Sequence, residues 1–229
     1  MKLKKLDWDS QFFNLEVAEL NLEKELILDE SYLDYDLLYV KQEKEFELVI
    51  PSFEKTFLET KIVFSKKIEN VNNVSDDENV FLLNEVNYSI STIYDLAYES
   101  GKFSRFKLDT NFKENDFKSL YKTWVDNSLN GLFADDVFVY LQKDDILGFV
   151  TFKLNENFAS IGLIAVNPDL QGKGVGTALI NAVEKKIYSS GIYELRIPTQ
   201  YQNELACKFY SKKGYKILDK TIIKHYWKI

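Results

Sequence analysis

Three glycines at alternate positions, Gly172, Gly174 and Gly176, lead into a stretch where Val175, Ala178, Leu179, Ala182, Val183 and Ile187 recur at helical spacing. The first turn of such a helix carries N–H groups with no intrahelical partner at the positive end of its dipole. Glycines let that backbone approach a bulky anion, so the chemistry on offer is phosphate binding. The glycines alone are equally compatible with a plain tight connection from strand to helix. Further along, Asn203 and Tyr210 are seven residues apart, which puts them on one helix face two turns apart with Ala206 near the line between them. A thin chain can lie over the small residue, with Asn203 bonding it and the Tyr210 phenol able to release a proton at its far end. Cys207, beside Ala206, has no neighbour in sequence that would lower its pKa and is read as a small packing residue.

Two rival phosphate motifs are excluded. Neither the Gly-Lys-Ser/Thr ending of a triphosphate loop nor the G-x-G-x-x-G dinucleotide fingerprint is satisfied by Gln171-Gly172-Lys173-Gly174-Val175-Gly176. That loop fits Q/R-x-x-G-x-G/A. It follows an apolar run at 159–166 ending in Val166-Asn167-Pro168, which reads as a strand buried on both faces. Strand, loop and helix together resemble the acyl-CoA pyrophosphate loop of the GNAT N-acetyltransferase superfamily.

The resemblance implies an α/β (α+β) GNAT fold, a mixed central sheet with splayed strands flanked by helices, and acetyl-CoA as co-substrate. It places the cofactor on Gln171, Gly172, Lys173, Gly174, Val175, Gly176 and Thr177. A pantetheine arm would lie along Ile164, Ala165 and Val166 as a pseudo-strand beside the parted strand at 194–198. Asn203, Ala206 and Tyr210 match the family's N-x-x-A-x-x-x-Y element, which makes Tyr210 the general acid for a departing thiolate and the Val166 N–H the donor to the thioester carbonyl. With reference pKa values of about 10 for tyrosine and about 8.5 for a thiol, that transfer is uphill by roughly 2 kcal/mol. No residue announces itself as the base: Asp135, Asp136 and Glu156 sit near strand ends where acidic residues are mostly solvated, and a water relay serves as well.

Near the amino terminus, L-D-W-D-S-x-F-F, then Ser104-Arg105-Phe106 and L-R-I-P-T-Q at 195–200, resemble one branch of the superfamily, the TDP-fucosamine acetyltransferases. That branch implies a TDP-4-amino-4,6-dideoxyhexose as acceptor, with Arg105 contacting it. Read from the residues alone, Arg105 is either a clamp on a nucleotide diphosphate or a solvated surface arginine. Another amine, such as a protein amino terminus, a polyamine or an antibiotic, stays open, as does a non-catalytic acyl-CoA-binding role.

The elements that must position these groups are legible in pattern. The opening residues 6–13 read as a turn with Trp8, Phe12 and Phe13 as core anchors, followed by a strand from Val17. Strands are expected at 36–40 and 61–64. The polar run 69–78 is the best linker, dividing an amino-terminal α/β region (1–75) from an acetyltransferase domain (76–229). A helix through Ile93, Leu96 and Ala97 ends at Gly101, and a clearer one holds Phe117, Leu120, Tyr121, Trp124, Val125 and Leu129. Strands at 136–142, 147–154 and 159–166 form a meander; 194–198 and 217–227 are strands, and 203–213 is a helix closed by Gly214.

The 229 residues are 45% hydrophobic and 15% aromatic, enough for a sizeable core. A net charge of −7 without a basic tract argues against nucleic acid. One cysteine excludes an internal disulfide, and one histidine, His225, leaves no zinc cluster and little scope for a histidine-based triad, so no metal is expected. With no apolar run of spanning length and a charged start at Met1-Lys2-Leu3-Lys4-Lys5, a cytoplasmic protein is expected. The final strand ends in aromatics at 222–227, and its edge either pairs with another copy in a homodimer or is covered within the chain.

Overall fold

A computed structural model describes residues 3–22, 30–71 and 76–229. In chain order the elements are β1 (Leu3–Lys5), α1 (Asp7–Phe13), β2 (Val17–Leu22), β3 (Leu37–Gln42), β4 (Phe53–Lys67), β5 (Val80–Leu82), α2 (Ile90–Ser100), α3 (Arg105–Leu108) and α4 (Glu114–Leu129). They continue as β6 (Asp136–Gln142), β7 (Asp145–Leu154), β8 (Ala159–Val166), α5 (Val175–Ser189), β9 (Glu194–Gln200), α6 (Glu204–Lys212) and β10 (Lys216–Lys228). Among the described residues the ten strands form one sheet in the order β1-β2-β3-β10-β4-β9-β8-β7-β6-β5. The meander and the helix that follows it stand where the apolar periodicity predicts them.

Alternation along the strands sends one set of side chains to each face. One face packs Phe149, Leu163 and Ala165 against α2 and α4, joined by Phe106 of α3 and, at the other end, by Val17, Leu37 and Tyr39. The opposite face packs Ile62, Phe64, Val150, Phe152, Leu195 and Ile197 against α5 and α6. Beyond them Leu20, Leu38, Val40 and Tyr226 are closed over by Ile50 and Phe53.

Several expectations change. Residues 7–13 are a helix, not a turn; Asp7 and Asp9 in its first turn favour it through the dipole. Phe12 and Phe13 pack on the core as anticipated, but Trp8 is 43% exposed, stacked on Phe12 at the surface. Over residues 222–227 β10 has no free edge, because β3 and β4 pair with it on either side, so the covered reading holds and a homodimer through that edge is ruled out. β4, from before the expected boundary, lies between β9 and β10, from after it, so the sheet runs continuously across the division at 75/76; residues 72–75 of that linker lie outside the described residues. β8 is not buried on both faces: Ala159, Ile161, Leu163 and Ala165 are buried, Gly162 is exposed and Ile164 and Val166 are half-buried. The physical reason is the opening beside this strand.

Candidate active site

β8 and β9 run parallel but pair only at Ala159–Leu195 and Ser160–Arg196, then part. A bulge contributes: Val150 faces Ile164 and Phe152 faces Ile161, so Gly162 and Leu163 together oppose Thr151. The Thr151 hydroxyl accepts the Leu163 N–H at 2.9 Å and anchors the irregularity. Past the bulge, the Asn167 N–H donates to the Leu147 carbonyl at 2.8 Å. Residues 147/167 and 149/165 are therefore the hydrogen-bonded pairs of the antiparallel β7–β8 ladder, while 148/166 and 150/164 are the non-hydrogen-bonded pairs. Main-chain groups of Ile164 and Val166 consequently point into the gap. Those of Ala165 are taken by β7, which removes it from the expected set of main-chain partners.

The loop after β8 closes over this gap. Gln171 Nε2 donates to the Val166 carbonyl at 3.3 Å. Gly172 and Gly174 have φ of 79° and 97°, in the left-handed region that costs a side chain energy, and Lys173 between them is exposed. Gly174 is the N-cap of α5 and brings no side-chain cap, so the N–H groups of Val175, Gly176 and Thr177 are left open at the positive helix end. Gly176 sits beside α6: a Cβ there would meet the Phe209 ring at 3.4 Å, an ordinary contact, so packing alone does not demand glycine at this position. A cavity of about 520 Å³ adjoins Gly174 and Thr177, with Asp76, Asp77 and Glu78 on its far wall.

On α6, Asn203 is the N-cap, its Oδ1 accepting the Ala206 N–H at 3.3 Å, so part of its side chain serves the helix and only the amide N–H₂ is left over. Tyr210 is buried against Phe64, Phe209 and Tyr215. Burial, with a smaller push from Cys207, raises its hydroxyl above the usual tyrosine range, so it holds its proton at neutral pH. Burial likewise raises the Cys207 thiol, whose sulfur faces the Gln200 carbonyl at 3.6 Å, in keeping with a packing residue.

Two of the three acidic candidates for a base have other work, and the third is at the surface. Asp135 accepts the Leu154 N–H at 2.6 Å, Asp136 pairs with Lys186 at 3.2 Å, and Glu156 is exposed in the β7–β8 turn.

Arg105 opens the short helix α3, for which the Ser104 hydroxyl provides the cap by accepting the Phe106 N–H at 3.2 Å. Its guanidinium lies 4.2 Å from the centre of the Tyr39 ring, with the carboxylates of Asp9 and Glu59 as charged neighbours. It is neither the solvated surface residue nor a free cation. Sequence reasoning missed what surrounds it. His225 Nδ1 lies 2.6 Å from Asp109 Oδ2, which also accepts from Trp227 Nε1 at 2.9 Å. Burial lowers the imidazole to about 4, so it is neutral, with Nδ1–H donating to Asp109 and Nε2 an open acceptor. Residues 109 and 225 are too far apart in sequence for any spacing to announce them; the one usable sign was a lone histidine on a strand of aromatics.

With the geometry in hand, the profile of the "Acetyltransferase (GNAT) family" matches residues 94–215, more than half of the chain. A dTDP-fucosamine acetyltransferase from Escherichia coli O6:H1 is 30% identical over 146 residues, covering 63% of this chain and 61% of that protein. A spermidine N(1)-acetyltransferase from Thermoplasma acidophilum is 30% identical over 89 residues, covering 39% of this chain and 50% of its own. The chain thus spans less than two thirds of the length of either curated relative. Among solved structures, an acetyltransferase of the GNAT family from Colwellia psychrerythraea superposes with a TM-score of 0.51 at 13% identity, over 76% of this chain and 58% of that one, a likeness of fold. Parted strands, glycine loop and family profile coincide on the same residues, and the chain belongs to the GNAT acetyltransferase family.

Proposed function

We propose that this chain is an N-acetyltransferase that moves acetyl from acetyl-CoA directly to the amino group of a nucleotide-linked amino sugar, a TDP-4-amino-4,6-dideoxyhexose. The observation that carries the transferase reading is the gap between β8 and β9, where Ile164 and Val166 direct main-chain groups toward open space next to the uncapped end of α5. An uncapped helix end beside the outward-facing main-chain groups of Ile164 and Val166 fits a diphosphate joined to a chain of amides. Acetyl-CoA supplies a thioester whose carbonyl carbon is open to attack by an amine.

The chain's own groups divide the remaining work. Val175, Gly176 and Thr177 offer N–H groups to the diphosphate, with Lys173 beside them. Ile164 and Val166 hold the pantetheine amides, and the Val166 N–H is positioned to donate to the thioester oxygen as charge develops there. Asn203, through its free amide N–H₂, and Ala206 line the chain's path. Tyr210 keeps a proton ready for the departing sulfur. Burial makes that phenol a weaker acid than in water, and a thiolate formed in the same dry gap is raised with it, so the balance between the two moves less than either value.

For the acceptor, the resemblance of the amino-terminal segment and the relation to a dTDP-fucosamine acetyltransferase support the amino sugar. Similarity to a spermidine acetyltransferase supports a polyamine as the second reading, though over a shorter stretch. The test is thiol release from acetyl-CoA with TDP-4-amino-4,6-dideoxyhexoses, spermidine and peptides, beside Tyr210→Phe. Turnover with the sugar nucleotide that drops about a hundredfold in the variant is the expected result. Turnover with spermidine alone would replace the substrate, and an unchanged rate in Tyr210→Phe would remove the general acid.

A further inference from the structure

Four buried polar atoms converge on the α3 side of the sheet with no hydrogen-bond partner among the described residues: Tyr39 Oη, Glu59 Oε2, Arg105 Nη1 and His225 Nε2. Strand register makes them neighbours. His225 stands opposite Tyr39 on β3 and Phe57 on β4, and Ile223, two residues away, stands opposite Glu59. Ring contact joins Tyr39 to His225 at 4.8 Å, and Arg105 lies over Tyr39 from above. Tyr39 and His225 are 0% exposed and Glu59 is 5% exposed. Gln42, the other residue with unpartnered buried atoms, is of opposite parity on β3 and faces away.

Leaving one polar atom buried without a partner costs about 1–3 kcal/mol. Four in one place mark a recess whose partners come from outside the described residues, as water or a ligand. Beside these atoms the same face of the sheet is open to solvent: Lys61, one step along β4 from Glu59, is exposed, and so is Pro198 of β9, which faces Val63. Both lie on the strands between Glu59 and the parted β8–β9 pair, whose β8 side is two strand spacings, about 10 Å, from β4.

The donor and acceptor inventory selects the ligand. With Nδ1–H committed to Asp109, His225 offers an acceptor; Glu59 offers another; Arg105 can only donate; the Tyr39 hydroxyl does either. A polyamine has only donors and would face the Arg105 cation. A phosphate has only acceptors and would face the Glu59 carboxylate. Hydroxyl groups donate and accept at once. We propose that this recess binds the hydroxyl-bearing ring of the acceptor, with Glu59, His225, Arg105 and Tyr39 reading adjacent hydroxyls while the amine points back toward the β8–β9 gap. The inference rests on the amino-sugar reading above and deepens it by moving Arg105 from a diphosphate clamp to ring recognition.

The test uses Tyr39→Phe and Glu59→Gln in the full chain. Tyr39→Phe removes an unpartnered hydroxyl and is expected to keep or raise the melting temperature of the free protein, whereas a merely structural role would lower it. Glu59→Gln keeps the side chain's shape but replaces an acceptor by an N–H₂ and deletes the charge beside Arg105. Each is expected to weaken ligand binding tenfold or more. Titration calorimetry compares a TDP-4-amino-4,6-dideoxyhexose, its analogue lacking one ring hydroxyl, spermidine and inorganic phosphate, with acetyl-CoA affinity as the unchanged control. The expected result is a tenfold loss for the sugar in either variant, and a smaller further loss when variant and deoxy analogue are combined. Full-strength sugar binding or acetylation in both variants overturns the recess and leaves the proposed activity standing. A wild-type protein that binds no hydroxylated ligand, or spermidine binding that is weakened by the same two variants, also overturns it. If another hydroxylated amine binds with the expected sensitivity and no amino sugar is acetylated, the substrate falls and the recess stands.

Discussion

On the α5 side of the sheet, Glu184 is 3% exposed and fully served: Tyr215 donates to it at 2.7 Å and Lys66 at 2.8 and 3.0 Å. On the α3 side, Glu59 is as deeply buried, but one carboxylate oxygen has no partner, and Tyr39, Arg105 and His225 around it are incomplete as well. Both clusters join β4 to a helix across one layer of packing. The difference teaches which of two buried polar clusters is architecture. A satisfied network fixes packing and asks nothing of solvent or ligand. An unsatisfied one is carried at a cost in stability that ligand binding relieves.

Three measurements break or sharpen that contrast. The largest effect is expected from Glu184→Ala, which strands the Lys66 ammonium and the Tyr215 hydroxyl: stability in denaturant falls by about 3 kcal/mol with the KM for the acceptor unchanged. A shifted KM would show that the α5-side cluster also serves binding.

Second comes acid. In the unfolded chain the His225 imidazole takes a proton near pH 6.5, whereas burial, opposed by Asp109 and reinforced by Arg105, holds it at about 4 in the fold. Between those values the unfolded chain binds more protons, so stability is full above about pH 6.5 and declines as pH falls toward about 4, by roughly 3 kcal/mol at the limit. Burial works to raise the Asp109 carboxyl, yet bonds from His225, Trp227 and the Asn111 N–H hold it below the usual range, so its contribution is lost at still lower pH. Denaturation midpoints between pH 4 and 7 should slope in the wild type and flatten in His225→Asn. Equal slopes would remove the histidine from the account.

The smallest effect comes from one substitution made on each face. Tyr215→Phe deletes a bond to a buried carboxylate and is expected to cost about 1.5–3 kcal/mol. Tyr39→Phe deletes a hydroxyl that has the Asp9 carboxylate nearby but no partner within hydrogen-bond geometry, and it is expected to cost under about 0.5 kcal/mol in the free protein. Paired melting curves decide it, and matching losses would erase the distinction between the clusters. Beside these, Asn203→Ala removes the cap of α6, with an expected loss of about 1 kcal/mol by the same measurement.

What the sequence determined by itself is everything local in the chain. The apolar strand, the glycine loop with its two positive-φ positions, the helix after it, and the Asn203–Ala206–Tyr210 line are each set by neighbours a few residues apart, where turn sterics and helical period act directly. Tertiary structure alone decided the rest. The bulge at Gly162 and Leu163 exists only against Thr151, and with it the parting of β8 from β9 and the turning of Ala165 toward β7. β10 became a central strand because β3 and β4 close on it from both sides, which no pattern within residues 217–227 expresses. Most of all, Asp109, His225, Glu59, Tyr39 and Arg105 meet through strand register and helix docking over separations that carry no periodicity. Polar atoms go without partners only once the chain has folded around them, so a recess of this kind is a property of the packed molecule and has no counterpart in the order of residues.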